Sequence, residues 1–190
     1  MKTILYVEDD PNDVFFLQHA FERAGVANSI RVVNNGQEAI DYLKGAGRFA
    51  DRDQFPLPGL VLLDLKLPYV MGMDVLKWIR QESGLSLVVV LLTASAEEAD
   101  ISSAYLLGAN AFLVKPSEAH KLVDIAKAIN AFWLMLNTLP QTPYSHSISP
   151  VNTLITPPGA SSNSAASFGP SESDEPVQQP PAFQSQFYLR

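Results

Sequence analysis

Short apolar runs alternate, along the first 139 residues, with stretches whose apolar positions recur every three or four residues. The short runs have the length of buried strands, whereas a spacing of three or four is typical of amphipathic helices. The predicted strands are 3–7, 30–33, 60–63, 87–92 and 111–114. A helical pattern follows each strand, and strands that alternate with helices form a parallel sheet covered on both faces. The pattern therefore predicts an α/β fold.

Turn and cap residues mark where several of the predicted helices begin and end. Asp10 precedes Pro11, which is the order of a helix N-cap followed by proline in the first helical position. Gly25 ends this first helix, and a later helix is predicted from Ala96 to Leu107. Apolar residues at helical spacing predict that the last helix runs on to Leu136.

Composition changes at Pro140, where we place the end of the folded domain. Residues 140–190 carry 9 of the 14 prolines and many serines, and their only lysine or arginine is Arg190. A segment of this composition buries too little apolar surface to offset its ordering entropy. We predict one domain over 1–139 and a disordered Pro/Ser-rich tail over 140–190.

The charge and residue content exclude several classes of protein. The net charge of −7 argues against a nucleic-acid partner. The chain has no cysteine, so disulfide frameworks and cysteine metal sites are excluded. The acids that begin at Glu8 come too early for a signal peptide, and the longest apolar run is about half the length of a membrane helix. We expect a cytoplasmic protein with no membrane partner.

Polar residues follow four of the predicted strands, and this is where the chemistry is expected. Glu8 and Asp9 follow the first strand, Asp64 the third, Thr93 ends the fourth and Lys115 follows the fifth. In a parallel sheet these groups meet at one edge, where ligands bind. Clustered carboxylates repel one another, and a hard divalent cation such as Mg²⁺ relieves that repulsion. The sequence therefore predicts a magnesium site at this edge.

The same residue types suit phosphoryl transfer, which needs a nucleophile, a cation and donors for the phosphoryl oxygens. Carboxylates such as Asp64 can form aspartyl phosphates. Lys115 can form an ion pair with a phosphoryl group, and the Thr93 hydroxyl can donate to it. Ala94 is small and leaves room for the group.

These motifs resemble the receiver domains of bacterial two-component response regulators. The matching segments are Glu8-Asp9, Leu62 to Pro68, Gly72, Thr93 and Phe112 to Pro116. The resemblance covers residues 1 to about 139. It implies a flavodoxin-like, doubly wound (βα)5 fold, a three-layer sandwich around a five-stranded parallel sheet.

For the metal and the acceptor, the resemblance assigns a role to each matching residue. Asp64 would be the phosphorylated aspartate and would share a Mg²⁺ ion with Asp9. Glu8 would contribute through a water molecule, and Lys66 through its backbone carbonyl.

The resemblance also implies a switch. Thr93 and Lys115 would sense and bind the phosphoryl group, and Pro116 would follow a cis peptide bond. Phe112 lies at the aromatic switch position, where many receivers have tyrosine, so a switch here would depend on packing alone.

The implied function is that of a single-domain response regulator, a signalling phospho-acceptor in a phosphorelay rather than a dedicated enzyme. A histidine kinase would donate the phosphoryl group. Two stretches are similar to stand-alone receivers of phytochrome-type and other histidine kinases: residues 52–58, and residues 132–134 together with 138–140. The tail shows no DNA-binding pattern, so the output would be protein contact, such as a homodimer through the fourth helix, fifth strand and fifth helix.

Two other functions compete with this one. Phosphatases that resemble haloacid dehalogenases need a second aspartate two residues after the nucleophile, and Lys66 occupies that position here. A degenerate receiver that only binds partners would lack acceptor-site residues, whereas this sequence contains all of them.

Overall fold

A computed structural model describes residues 2–138 and contains the five strands and five helices of the predicted pattern. The strands are β1 (Ile4–Val7), β2 (Ile30–Val33), β3 (Leu60–Leu63), β4 (Val88–Thr93) and β5 (Ala111–Val114). The helices are α1 (Pro11–Arg23), α2 (Gly36–Lys44), α3 (Gly72–Gln81), α4 (Glu98–Leu106) and α5 (Ala119–Ile129). All neighbouring strands are parallel, in the order β2-β1-β3-β4-β5. The flavodoxin-like fold is confirmed.

The core consists of two apolar layers, one on each face of the sheet. Ile4 and Tyr6 of β1 lie in one cluster, whereas Leu5 and Val7 lie in the other, because successive side chains of a strand point to opposite faces. Helices α1 and α5 complete the first cluster, and α2 and α3 contribute most of the helical residues of the second. This sandwich explains why the strands are almost wholly apolar.

The strand order positions the candidate site. The chain passes from β1 outward to β2 and then returns to β3 on the other side of β1. The connections therefore diverge above β1 and β3, and a crevice opens at the carboxyl ends of these two strands. Glu8 and Asp64 follow these ends directly.

Side-chain caps hold two helix starts beside this crevice. The Asp10 carboxylate accepts a hydrogen bond from the backbone N–H of Asn12 at 2.8 Å, and Pro11 opens α1 as predicted. The Asn35 side chain accepts from the backbone N–H of Glu38 at 2.8 Å and caps α2. Each cap satisfies an amide that the helix itself leaves unpaired.

The predicted limits of α4 are wrong, and the last helix reaches its predicted end at Leu136 but changes type on the way. Helix α4 runs from Glu98 to Leu106 rather than from Ala96 to Leu107, because residues 94–97 form an irregular loop after β4 and Leu107 is the C-cap. The last helix is α-helical only to Ile129 and continues as a π-helix, Asn130–Leu136. A π-helix has more residues per turn, so a spacing of three or four no longer predicts which side chains face the core. Trp133 packs against the core while Leu136 is exposed.

The predicted domain boundary and the predicted disordered tail concern residues 139–190, which lie outside the described residues. Both stay predictions. Within residues 2–138, the structure has no helix long and apolar enough to cross a membrane.

Two glycines allow the loop after β3 to pack closely. The backbone N–H of Gly72 donates to the carbonyl of Leu65 at 3.0 Å, and a Cβ at Gly72 would overlap the carbonyl oxygen of Asp64. A Cβ at Gly36 would likewise overlap the carbonyl oxygen of Val70. The start of α3 therefore packs against the backbone that carries Asp64, and the start of α2 packs against the loop that follows it.

We expect Gly72→Ala to lower the free energy of unfolding by about 1–3 kcal/mol, because the added methyl group must displace backbone atoms rather than a flexible side chain. Urea denaturation measures the change. Gly59→Ala is the matched control, since the atoms nearest its Cβ belong to the Lys2 side chain rather than to backbone. Equal effects of the two substitutions would contradict the close-packing explanation.

Candidate phosphoryl-acceptor and metal site

The predicted strand-end residues come together around the ammonium group of Lys115. Its Nζ donates to Glu8 Oε2 at 2.5 Å and lies 3.5 Å from Asp64 Oδ2. The ends of β4 and β5 are also joined, because the backbone N–H of Lys115 donates to the carbonyl of Thr93 at 2.8 Å. Residues more than 100 positions apart in sequence thus form one polar cluster.

Glu8 is the most enclosed member of this cluster, with 1% of its surface exposed. The Tyr6 hydroxyl donates to Glu8 Oε2 at 2.9 Å, and the backbone N–H of Asp10 donates to Oε1 at 3.3 Å. Burial raises the pKa of the Glu8 carboxyl, although the hydrogen bonds from Lys115 and Tyr6 oppose that shift. Glu8 therefore depends on these donors to remain an anion.

Lys115 is a partly buried cation, with 12% of its side chain exposed. Burial lowers the pKa of its ammonium group, but hydrogen bonds to Asp13 and Glu8 outweigh burial, and the pKa is raised overall. The group is therefore charged at neutral pH. It is in place to form an ion pair with an anion that binds at Asp64.

Asp64 is held in one orientation at the bottom of the crevice. It is 7% exposed, and its Oδ1 accepts the backbone N–H of Leu65 at 2.7 Å. The other oxygen, Oδ2, faces Lys115. A fixed carboxylate beside a cation has the geometry that a nucleophile for phosphoryl transfer requires.

Three carboxylates form a candidate metal centre. Glu8, Asp9 and Asp64 each offer one oxygen, and these oxygens lie within 4.8 Å of one another. All the donors are oxygen, which suits a hard divalent cation. Glu8, Asp13 and Asp64 each lie within 4.0 Å of the Lys115 ammonium, and Asp9 adds a fourth carboxylate to the cluster. One ammonium leaves an excess of negative charge, which a divalent cation would reduce. The residues present thus fit a metal ion.

Lys66 lies in the loop after Asp64 with its side chain exposed. An exposed side chain agrees with the expectation that only its backbone carbonyl is used, and this role stays a prediction.

The predicted switch residues flank the cluster. Thr93 is buried, and its Oγ1 accepts the backbone N–H of Ser95 at 3.3 Å. Ala94 is exposed, so the space beside it is open. Phe112 is partly buried against the layer beneath α2 and α3, and its backbone N–H donates to the Tyr105 hydroxyl at 3.3 Å. The switch roles of these residues stay predictions.

The predicted cis bond before Pro116 is wrong. The bond between Lys115 and Pro116 is trans, as are all other described peptide bonds. Trans is the more stable isomer of such bonds by about 0.5–1 kcal/mol, and Lys115 reaches Glu8 with the bond in this form.

Sequence reasoning missed three residues of the site. Asp13 bonds Lys115, Tyr6 bonds Glu8, and the Ser95 hydroxyl donates to Asp100 of α4 at 2.7 Å. Asp13 lies three residues after the α1 N-cap, where an acid is usually explained by the helix dipole. Its alignment with Lys115 depends on how α1 crosses the sheet, which no local pattern reveals.

Comparison with known proteins decides the family. A family model described as the response regulator receiver domain matches residues 4–127, more than half of the chain. The chain belongs to this family. A receiver domain is a signalling phospho-acceptor rather than a classical enzyme. The predicted family and the predicted role as a phospho-acceptor are therefore both confirmed.

Several response regulators are similar to this receiver. Response regulator Rcp1 of Synechocystis sp. is 34% identical over 140 residues, which are 73% of this chain and 93% of Rcp1. The structure of its Mn²⁺-bound form matches with a TM-score of 0.67 at 33% identity and covers 74% of this chain and 100% of that one. A receiver relative has therefore been crystallised with a divalent cation.

Two further structures concern light signalling. The phosphorylated cyanobacterial phytochrome response regulator RcpA is 36% identical, with a TM-score of 0.68, and covers 74% of this chain and 99% of that one. RPA3017, from red light signalling in R. palustris, is 38% identical, with a TM-score of 0.71, and covers 75% of this chain and 100% of that one. The predicted similarity to stand-alone phytochrome response regulators is confirmed.

The excess of carboxylates in the receiver should cost stability when no metal is bound. We expect Asp9→Asn to raise the melting temperature by roughly 3 °C in EDTA, because it removes repulsion with Glu8 and Asp64. Mg²⁺ or Mn²⁺ should raise the melting temperature of the wild type and have much less effect on this variant. Differential scanning calorimetry measures both effects.

The matched control is Asp10→Asn, which removes the same charge one residue further on. Asparagine caps a helix as well as aspartate does, so α1 should be retained. If Mg²⁺ or Mn²⁺ raised the melting temperature of Asp9→Asn as much as that of Asp10→Asn, Asp9 would be excluded as a metal ligand.

Proposed function

We propose that this chain is a single-domain response regulator that accepts a phosphoryl group from a histidine kinase on Asp64, with Mg²⁺ bound. The observation that carries the proposal is the position of Asp64: a buried carboxylate lies 3.5 Å from the Lys115 ammonium and within 4.8 Å of two further carboxylate ligands. These are the nucleophile, the cation and the metal ligands that the reaction needs.

In this reaction one oxygen of Asp64 attacks the phosphorus atom of phosphohistidine. The bond between phosphorus and the histidine nitrogen breaks, and the nitrogen leaves with the electron pair. The Leu65 N–H holds the carboxylate in place, and Lys115 neutralises charge on the transferred group. Mg²⁺ held by Asp9, Asp64, the Lys66 carbonyl and, through water, Glu8 would supply further charge neutralisation.

The output would be a change in the populations of two conformations. The Thr93 hydroxyl would turn to donate to a phosphoryl oxygen, and Phe112 would move inward by packing alone. Helix α4 is suited to move with them because Ala104 is its only buried residue. An element with few buried contacts has a low local stability.

The phosphoryl donor is proposed to be a histidine kinase, and the similarity to RcpA and RPA3017 supports one of the phytochrome type. The output partner is proposed to be protein, either another partner or a second copy of the chain. Supporting a second copy, Tyr105, Leu106 and Val114 are exposed apolar residues on α4 and β5.

The acceptor assignment predicts that the wild type takes up label from acetyl phosphate in the presence of Mg²⁺ and that Asp64→Asn does not, because the amide cannot act as the nucleophile. Phosphate-affinity gels and mass spectrometry of the intact protein measure the modification. Asp74→Asn, which removes an exposed carboxylate at the start of α3, should label like the wild type. Label retained in Asp64→Asn would exclude Asp64 as the acceptor.

The proposed dimer predicts that beryllofluoride, which mimics the phosphoryl group, increases self-association. Leu106→Asp should weaken that association by about tenfold or more, since it buries a charge in the interface. Analytical ultracentrifugation measures the dissociation constant. Phe15→Asp, which changes an exposed apolar residue of α1, is the control. A protein that stays monomeric with beryllofluoride would contradict the dimer.

A further inference from the structure

We propose that Asp13 is a positioning residue that restrains Lys115 in the resting protein and so limits the rate at which Asp64 is phosphorylated. The inference rests on the proposed function, in which Lys115 forms an ion pair with the phosphoryl group on Asp64. It concerns a contact that sequence reasoning did not reveal, and it assigns a role to a carboxylate outside the candidate metal centre.

Lys115 lies closer to Asp13 than to the acceptor Asp64. Lys115 Nζ lies 2.7 Å from Asp13 Oδ2, at full hydrogen-bond distance, and 3.5 Å from Asp64 Oδ2. An N–H to O hydrogen bond weakens well before 3.5 Å. In the resting state the ammonium is therefore bonded to Asp13 and Glu8 more strongly than to the acceptor.

The surroundings of Lys115 explain why its hydrogen bond to Asp13 restrains the ammonium group. Because 12% of its side chain is exposed, the ammonium has little contact with solvent, and the surrounding carboxylates are its partners in the resting protein. Glu8 is buried and also receives the Tyr6 hydroxyl, whereas Asp13 is 40% exposed and water can satisfy it when Lys115 leaves. Asp13 is thus the partner that Lys115 can give up when a phosphoryl oxygen becomes available.

The position of Asp13 is built into α1. The Asp10 cap and Pro11 set where the helix begins, and Leu17 and Phe21 anchor it on the core, so Asp13 projects from the first turn. Asp13 also adds a negative charge beside the site that an anionic phosphoryl donor approaches. The competition for Lys115 and the repulsion of the donor act in the same direction, and both slow phosphorylation.

Replacing Asp13 should therefore accelerate the reaction. We expect Asp13→Asn to increase the initial rate of labelling by subsaturating acetyl phosphate about three- to tenfold and to tighten beryllofluoride binding by a similar factor, as expected for the loss of one competing charged hydrogen bond. Asp13→Ala is a second variant that removes the same acceptor. Calorimetric titration with beryllofluoride gives a readout that needs no phosphotransfer.

Asp10→Asn is the control, because it removes a nearby charge from the same helix start without a contact to Lys115. A purely structural role for Asp13 in the first turn of α1 would lower stability and weaken beryllofluoride binding. The proposal would be overturned if both Asp13 variants were labelled no faster than Asp10→Asn and bound beryllofluoride no more tightly. A wild type that is not labelled on Asp64 would instead overturn the proposed function, so the two failures are distinguishable.

Discussion

The site depends on the ion pairs that the ammonium group of Lys115 forms with the surrounding carboxylates. The ammonium neutralises part of the charge of Glu8, Asp13 and Asp64, and without a cation between them these carboxylates would repel one another in a poorly solvated crevice. One positive charge leaves the cluster with an excess of negative charge. That excess explains both why the site suits a divalent metal and why Lys115 can change partners.

The fold makes this concentration of charge possible. A parallel sheet places the carboxyl ends of its strands at one edge, and the divergence of the connections on either side of β1 leaves that edge open. Backbone fit then sets the orientation of the acceptor. Gly72 lets α3 approach the Asp64 carbonyl, and the Leu65 N–H holds its carboxylate, so a chemically ordinary aspartate becomes a fixed nucleophile.

Much of the fold and the main site residues could be predicted because the relevant signals are local. Three of the five strands, among them Leu60–Leu63, have the predicted limits, since fully buried strands are continuous apolar runs. The change of helix type after Ile129, where the α-helix becomes a π-helix, was not predicted, because the apolar spacing does not reveal it. The trans bond before Pro116 was also missed, because both isomers fit the same residues.

Periodicity and chain order are enough to predict the order of the elements, the two-sided core and the placement of Glu8, Asp64 and Lys115 at strand ends. Which carboxylate oxygen faces the Lys115 ammonium depends instead on how the elements pack. The bond from Lys115 to Asp13 links β5 to α1 across 102 positions of the chain, and such a pairing depends on how a helix packs across the sheet. Packing angles and side-chain directions are set by the whole core, which no local stretch of sequence encodes.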